Sequence, residues 1–334
     1  MARRATLHDV ADHAGVSIKT VSRVVNGATS VSDAVRERVN IAVEALQYVP
    51  NSFARSLKAG TADTIGVVMD TIADPFFAAL TSAVEAHALK AGLNVIFGST
   101  GFDPVRERSQ VERMAMQRVR ALILAPVTGA HEYLAAFSGS FPIVMIDRPV
   151  TVPGYDTVGV DDRGLTREAV EHLIAHGHRR IAFVGSDDRF PTTKHRVQGY
   201  HDAMRAIGVE PHPTWVEEGR AEEEDATACT FQLLKSHDVP TAIFAANPRA
   251  GLGVAHALHT MDRADIAFIS FGDFPLSKTL RPAITYVNQD PVGIGVAAME
   301  RVLARIDDKD EPVQNVIVRT KLVPRGSGEI EVPR

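Results

Sequence analysis

Cys229 is the only cysteine in the 334 residues, so no internal disulfide can form and the chain suits a reducing compartment. No apolar run approaches the length that a bilayer requires, and the basic start MARR is not followed by the hydrophobic stretch of a secretory signal. The expected location is the cytoplasm, with no membrane partner. Nucleotide and nucleophile motifs are missing as well: no G-x-G-x-x-G follows the first strand-like run at 65–69, and no P-loop or G-x-S-x-G elbow occurs. Gly251-Leu-Gly253 falls inside a helical stretch and lacks the third glycine. These absences speak against a dehydrogenase, a P-loop enzyme and an α/β-hydrolase, and the chain is read as no enzyme. Thirteen histidines raise the question of a metal, but His172, His176 and His178 sit at a helix-to-strand corner, and neither a metal nor a cofactor is expected.

Overall charge is also short of what a nucleic-acid binder usually carries, at −5 with a pI near 6.2. Its distribution is uneven. Residues 1–60 hold eight Lys/Arg against five Asp/Glu, a net of +3, and the remainder holds 28 against 36, a net of −8. A mildly basic head on an acidic body makes the head the region suited to phosphate, with dimerisation needed to strengthen so weak a charge.

The head's pattern is specific. In TLHDVADHAGVSIKTVSRVVN, Leu7, Val10, Ala11 and Ala14 recur at helical spacing behind Thr6, with Asp9 placed to complete a capping box. Gly15 permits a tight turn, Val16 plugs it, and Ser17 caps a second helix that turns Val21, Val24 and Val25 inward. That leaves Ile18, Lys19, Thr20, Ser22, Arg23 and Asn26 outward, a set of donors with one apolar probe that suits a major groove. Ile18, Lys19 and Arg23 are the candidate base readers, the two cations for guanine and Ile18 for a thymine methyl. A third helix is expected over 33–47, opened by Val31-Ser32 and closing the core with Val35, Val39, Ala42 and Leu46. Beyond Pro50, Asn51 can cap a short helix with Phe53, Ala54 and Leu57 as its stripe, too short to persist without a partner.

These segments, TLHDVADHAGVSIKTVSRVVNG, VSDAVRERV and YVPNSFARSLKAG in that order and spacing, resemble the lactose-repressor/galactose-repressor (LacI/GalR) family of bacterial transcription regulators. The resemblance implies a homodimer on a palindromic double-stranded operator. Two hinge helices would pair across its axis and enter the minor groove with Ala54, Leu57 and Lys58, Leu57 being wedged between base pairs. It further implies positioning contacts to phosphate from Thr6, Ser17, Thr20, Ser22, Asn26, Ser32, Tyr48 and Asn51. The expected domains are a helix-turn-helix head (1–49), a hinge (50–63) and an effector-binding and dimerisation body (64–334).

From about Thr64 the pattern alternates strand and helix. Strands are expected at 65–69, 94–97, 121–124 and 143–146 with helices at 75–91, 105–118 and 130–137. After Asp162 the rhythm restarts, with helices from Leu165, Lys194, Glu224 and Val292 and strands at 181–184, 215–216, 242–245, 266–270 and 316–318. This predicts an α/β fold of two parallel-sheet lobes, lobe one about 64–161 plus a C-terminal crossover and lobe two about 162–290. The layout is that of periplasmic sugar-binding proteins and of the family's effector domain.

Ligands bind beyond the carboxyl ends of such strands, where Phe76, Phe77, Asp147, Arg196, Asn247, Asp273 and Gln289 fall at positions the family uses for its effector. Phe77 can stack on a sugar face, Arg196 can donate a forked pair and Asp273 can accept from hydroxyls. Each has a structural alternative: Phe76 and Phe77 as core, Asp147 and Arg148 as a pair, Asp161 and Asp162 as caps. A small polar effector is expected, a sugar or sugar derivative, with a purine or nucleoside as the alternative. The family usually shows Asn-Asp where this chain has Asn247-Pro248, and Gly219-Arg220-Ala221 offers no stacking ring. LVPRGS at 322–327 equals a thrombin-site text, but relatives often carry Leu-x-x-Arg-Gly-Ser there and it is read as native. No leucine-heptad tail follows, so no tetramer through such a tail is expected.

Overall fold

A computed structural model describes residues 5–25, 28, 30–48, 63–127, 131–137, 139–148, 154–186, 190–219, 222–308 and 310–332. Residues 1–62 and 63–334 are separate compact units.

In the head, α1 (Leu7–Ala14) starts at the expected capping box: Thr6 Oγ1 accepts from the Asp9 N–H at 3.3 Å and the Asp9 carboxylate accepts from the Thr6 N–H at 2.7 Å. Gly15 ends the helix at φ 63°, a left-handed conformation that costs glycine nothing. Ser17 Oγ accepts from the Thr20 N–H at 3.1 Å and opens α2 (Ile18–Val25). Val10, Ala11, Val21, Val24, Val39 and Ala42 form one core with α3 (Asp33–Ala45). That helix stops two residues short of the expected 47, because Gln47 takes φ 48° and the Tyr48 N–H returns to the Val43 carbonyl at 2.9 Å.

The body alternates β1 (Thr64–Met69), α4 (Pro75–Lys90), β2 (Asn94–Ser99), α5 (Pro104–Met116), β3 (Leu122–Leu124), β4 (Ile143–Ile146) and β5 (Asp156–Gly159). Next come α6 (Asp162–Ala175), β6 (Ile181–Ser186), α7 (Pro191–Ala206), β7 (Val216–Glu218), α8 (Glu223–Lys235), β8 (Ala242–Ala245), α9 (Pro248–Thr260), β9 (Ala267–Phe271) and β10 (Thr285–Val287). The chain closes with α10 (Pro291–Asp307), β11 (Asn315–Ile317) and β12 (Leu322–Val323). Two six-stranded sheets result, ordered β11-β5-β4-β3-β1-β2 and β12-β10-β9-β8-β6-β7. Every described pairing is parallel except β10 with β12.

Both faces of each sheet are covered, which is why the strands are continuous apolar runs. In lobe one, Ile65, Val67 and Met69 pack under Leu80 and Val84 of α4 and Ile294, Met299 and Val302 of α10, while Val68 faces Val111 and Met114 of α5. Lobe two buries Phe183, Phe244 and Phe271 with Tyr200 on one face and Ile243 and Phe268 with Leu233 and Val254 on the other. Each such side chain, fully buried, contributes about 1.5–3 kcal/mol. Gly253 explains the isolated Gly-Leu-Gly: a Cβ there would lie 2.3 Å from the Glu223 carbonyl, so glycine lets α9 approach α8. The chain passes between lobes near Gly159, Asn288 and Val318, where Val318 N–H donates to the Gly159 carbonyl at 2.8 Å and Asn288 N–H to Lys321 at 3.0 Å.

Several boundaries differ from expectation. Helices α6 and α7 start three residues earlier than Leu165 and Lys194, because Asp161 caps the first at the Gly164 N–H (2.9 Å) and Pro191 opens the second. The helix expected over 130–137 is a 3-10 turn, Glu132–Phe137, six residues being short for an α-helix. β5, β10 and β12 escape the sequence pattern because each has four residues or fewer and little apolar run. The LVPRGS text is integral to lobe two: Leu322–Val323 forms β12, and Ser327 is buried and receives the Thr285 N–H at 2.8 Å.

Candidate functional site

The head presents Ile18, Lys19 and Arg23 together on the exposed side of α2, Ile18 at 43% exposure despite its apolar side chain. An apolar residue held in water beside two cations is what a groove-reading face requires. Thr20 and Ser22 are half-buried on the same helix, Ser32 is exposed, and Thr6 and Ser17 spend their hydroxyls on caps. Tyr48 corrects the expectation of a phosphate contact as far as its ring is concerned: it is buried in the head's core with Val10 and Val39, which its aromatic area completes. Asn26, Asn51, Ala54, Leu57 and Lys58 lie outside the described residues.

In the body, one cleft between the lobes collects residues from the carboxyl ends of both sheets. Lobe one supplies Asp70 after β1, Asp74 and Phe76 at the start of α4, Phe102 after β2, and Asp147 and Arg148 after β4. Lobe two supplies Phe190 and Arg196 from α7 and its approach, Asn247 and Arg249 from the start of α9, Glu222 before α8, and Gln289 after β10. Six of the seven expected residues are therefore brought together: Phe76, Phe77, Asp147, Arg196, Asn247 and Gln289. Phe76 and Phe77 fulfil both readings at once, being almost wholly buried in the lobe-one core with rings edge-to-face at 5.1 Å, yet lining the cleft.

Asp273 goes elsewhere. Arg325 takes its carboxylate in a forked pair at 3.0 and 2.9 Å, and Ser277 adds a short hydrogen bond. Burial pushes the Asp273 carboxyl upward, but Arg325, Ser277 and the Phe274 N–H together outweigh it and hold the group below its usual range. It lines an adjoining pocket with Tyr286 and Asn288 that shares Phe76, Pro248 and Gln289 with the main cleft.

Three guanidinium groups organise the cleft. Arg148 forks onto buried Asp70, donates to the Pro126 carbonyl at 2.9 Å, and lies 4.1 Å from the Phe190 ring centre of the opposite lobe. The alternative of an Asp147–Arg148 pair is thus secondary, at 3.5 Å. Arg196 donates from Nε to Asp162 Oδ1 and from Nη1 to the Ala246 carbonyl at 2.7 Å each, with Nη2 also 2.7 Å from that carboxylate oxygen, and stacks 3.8 Å over Phe271. Asp162, expected only as a cap, is instead this buried partner, and burial raises its pKa to about 6 against the pull of Arg196. Arg249 reaches Glu222 at 3.0 Å and crosses to lobe one, 3.9 Å from Asp74 and 4.8 Å from the Phe102 ring centre. Phe102 and Phe190 meet at 5.8 Å, so two arginine–phenylalanine contacts and a ring pair span the lobes.

Asn247 caps α9 through the Ala250 N–H (2.9 Å), anchors to the Gly185 carbonyl (2.9 Å), and leaves the next position to Pro248, which opens the helix. Arg249 is the first charged group after it. Asp147 sits at φ 67°, a left-handed conformation that aspartate adopts more readily than most residues. Phe102 and Phe190 lie in loops and Glu222 and Arg249 at helix starts, where no periodic signal marks them in the sequence; Asp70, one residue past the first strand, obeys the same strand-end rule as Asp147. Among the described residues no cluster of three His, Cys, Asp or Glu could hold a metal: His172 pairs with Glu329 at 2.6 Å and His178 bonds the Ile330 carbonyl at 2.8 Å. No described helix is long and apolar enough to cross a membrane.

Residues 6–51 match the family described as bacterial regulatory proteins, lacI family, and residues 170–328 match a periplasmic binding protein-like domain. The chain is 33% identical over 318 residues to the HTH-type transcriptional repressor PurR of Haemophilus influenzae (strain PittEE), covering 93% of this chain and 94% of the relative. Among solved structures it is similar to the lac repressor dimer bound to operator and the anti-inducer ONPF, with TM-score 0.86, 27% identity, and 98% and 99% of the two chains covered. It is likewise similar to a complex of the transcriptional regulator CelR with cellobiose, with TM-score 0.72, 29% identity, and 97% and 100% covered.

Proposed function

The chain belongs to the lacI family of bacterial regulatory proteins, and from that premise we propose that the small molecule controlling it is a sugar or sugar derivative held in the cleft between its lobes. It is a DNA-binding transcriptional repressor under ligand control. The observation that carries the sugar reading is the lining itself: carboxylates (Asp74, Asp147), guanidinium groups (Arg148, Arg196, Arg249) and amides (Asn247, Gln289) share the cleft with Phe76 and Phe77. Such a rim can donate to and accept from a ring of hydroxyls while an aromatic edge meets the C–H face. The described rings supply no parallel pair between which a flat heterocycle would be sandwiched: Phe102 and Phe190 are inclined at 59° and Phe76 and Phe77 at 75°. The relative CelR, bound to cellobiose, adds support.

The head does the DNA work in this proposal. Ile18, Lys19 and Arg23 read base edges, a dimer places two such helices on a palindromic operator, and Ala54, Leu57 and Lys58 act in the minor groove. A ligand that touches lobe one through Asp147 and lobe two through Arg196 favours one lobe arrangement by its differential affinity for the two, and operator affinity follows that choice.

Mass spectrometry of the protein purified under native conditions tests the reading. A retained, chemically unaltered sugar, lost on substitution Asp147→Asn, is expected. A retained purine or nucleoside would replace the sugar reading, and a converted product would point to catalysis.

A further inference from the structure

On the reading that the cleft takes a sugar, we infer that its effector is an amino sugar, whose protonated amine sits between Asp74 and Asp147 while a neighbouring oxygen accepts from Nε of Arg148. Among the described residues, the cleft is lined by the carboxylates of Asp70, Asp74, Asp147 and Glu222 and by the guanidinium groups of Arg148, Arg196 and Arg249. Each cation already has a carboxylate: Arg148 has Asp70, Arg196 has Asp162 behind the wall, and Arg249 has Glu222. Two carboxylates are left without a full partner. Asp74 accepts the Phe76 N–H at 2.9 Å through one oxygen, and its other oxygen is 3.9 Å from Arg249, too far for a hydrogen bond. Asp147 has only a 3.5 Å approach to Arg148 Nε.

A second observation points to a ligand independently. Arg148 Nε is buried, lies on a side chain that is 7% exposed and lines the cleft, and has no hydrogen-bond partner. An orphaned buried N–H is costly, and in a ligand cleft it marks the place of an incoming acceptor. The orphaned donor and the under-compensated Asp147 are on adjacent residues, so the complementary ligand fragment carries an acceptor oxygen next to a cationic donor. A hydroxyl beside an ammonium, as on a hexosamine ring, is such a fragment. Burial pushes both Asp74 and Asp147 upward, as expected of carboxylates awaiting a countercharge. A phosphorylated or carboxylated sugar would add a negative charge to a lining in which each described guanidinium already has a carboxylate partner, and is disfavoured.

Isothermal titration of the full-length protein with matched sets decides this: glucosamine, galactosamine and mannosamine, their parent hexoses, their N-acetyl derivatives and their parent hexose 6-phosphates, with adenine, guanine and hypoxanthine alongside. One free amine is expected to bind about tenfold or more tighter than its parent hexose, since a hydrogen-bonded charge pair is typically worth at least that factor. N-acetylation should remove the advantage, and the 6-phosphate should not bind. In Asp74→Asn and Asp147→Asn the ratio of amine to parent affinity should fall towards one. Should either variant misfold, the N-acetyl comparison in the unaltered chain still decides. A parent hexose or hexose phosphate that binds as tightly as every amine overturns the inference and leaves the sugar reading standing. Nucleobase binding with no sugar bound overturns both.

Discussion

Arg196→Met removes the cation from the most enclosed ion pair among the described residues of lobe two. Arg196 is 6% exposed and its partner Asp162 3%, and the guanidinium gives Asp162 a hydrogen bond and an ion-pair contact at 2.7 Å each and the Ala246 carbonyl a second hydrogen bond of 2.7 Å. Methionine roughly fills the side-chain volume, so the cost is chiefly an uncompensated buried carboxylate, about 3–5 kcal/mol. For a body of this size that corresponds to a fall in Tm of about 6–20 °C. Asp162→Asn together with Arg196→Met removes both charges and should recover much of the loss, giving a coupling of roughly 2 kcal/mol in a double-mutant cycle. Urea unfolding followed by circular dichroism measures all four proteins. A double mutant whose loss equals the sum of the single losses would refute the reasoning, because the two groups would then not act as a unit. The same cycle shows why Arg196 is a poor probe of ligand contact alone: its truncation disturbs the wall that holds the cleft.

Three further outcomes follow from particular residues. Asp162 has a folded pKa of about 6, above its ordinary 3.8, so the native state binds the extra proton and this group's contribution to stability falls as pH rises from about 3.8 to about 6. Unfolding free energies of wild type and Asp162→Asn should therefore diverge across that window and run parallel above it; parallel curves throughout would contradict the assignment. Gly199→Ala places a Cβ 2.3 Å from the Arg163 carbonyl where α7 crosses α6, and should destabilise by about 1–3 kcal/mol in chemical denaturation, whereas an unchanged midpoint would mean the helices part freely. Arg23→Ala should cost roughly 1–3 kcal/mol at one base pair of each half-site, and equal weakening on operator and random DNA would assign Arg23 to phosphate instead.

Local signals were legible and tertiary ones were not. Thr6, Asp9, Gly15 and Ser17 announce the head because caps and left-handed stops act within four residues of themselves. Continuous apolar runs announce both sheets, and the rule that ligands sit past strand ends gathers Asp147, Asn247 and Gln289 into one cleft without any structure. Asp273 obeys the same rule and still turns away, because its partner Arg325 comes from 52 residues further on, in a segment after the last crossing between lobes. Tyr48 carries a hydroxyl that suits phosphate, yet the head needs its ring for a core. The Phe102–Phe190 contact joins two loop ends of different lobes, and no periodicity within either segment encodes it.

The central claim is that occupancy of the cleft governs operator binding by the head. Fluorescence anisotropy of a labelled palindromic operator, titrated with full-length protein with and without the small molecule recovered from the cleft, tests it directly. The ligand is expected to shift operator affinity by about 5-fold to 150-fold, and Asp147→Asn to retain operator binding while losing the shift. Equal operator affinity with and without saturating ligand in the unaltered protein would contradict it.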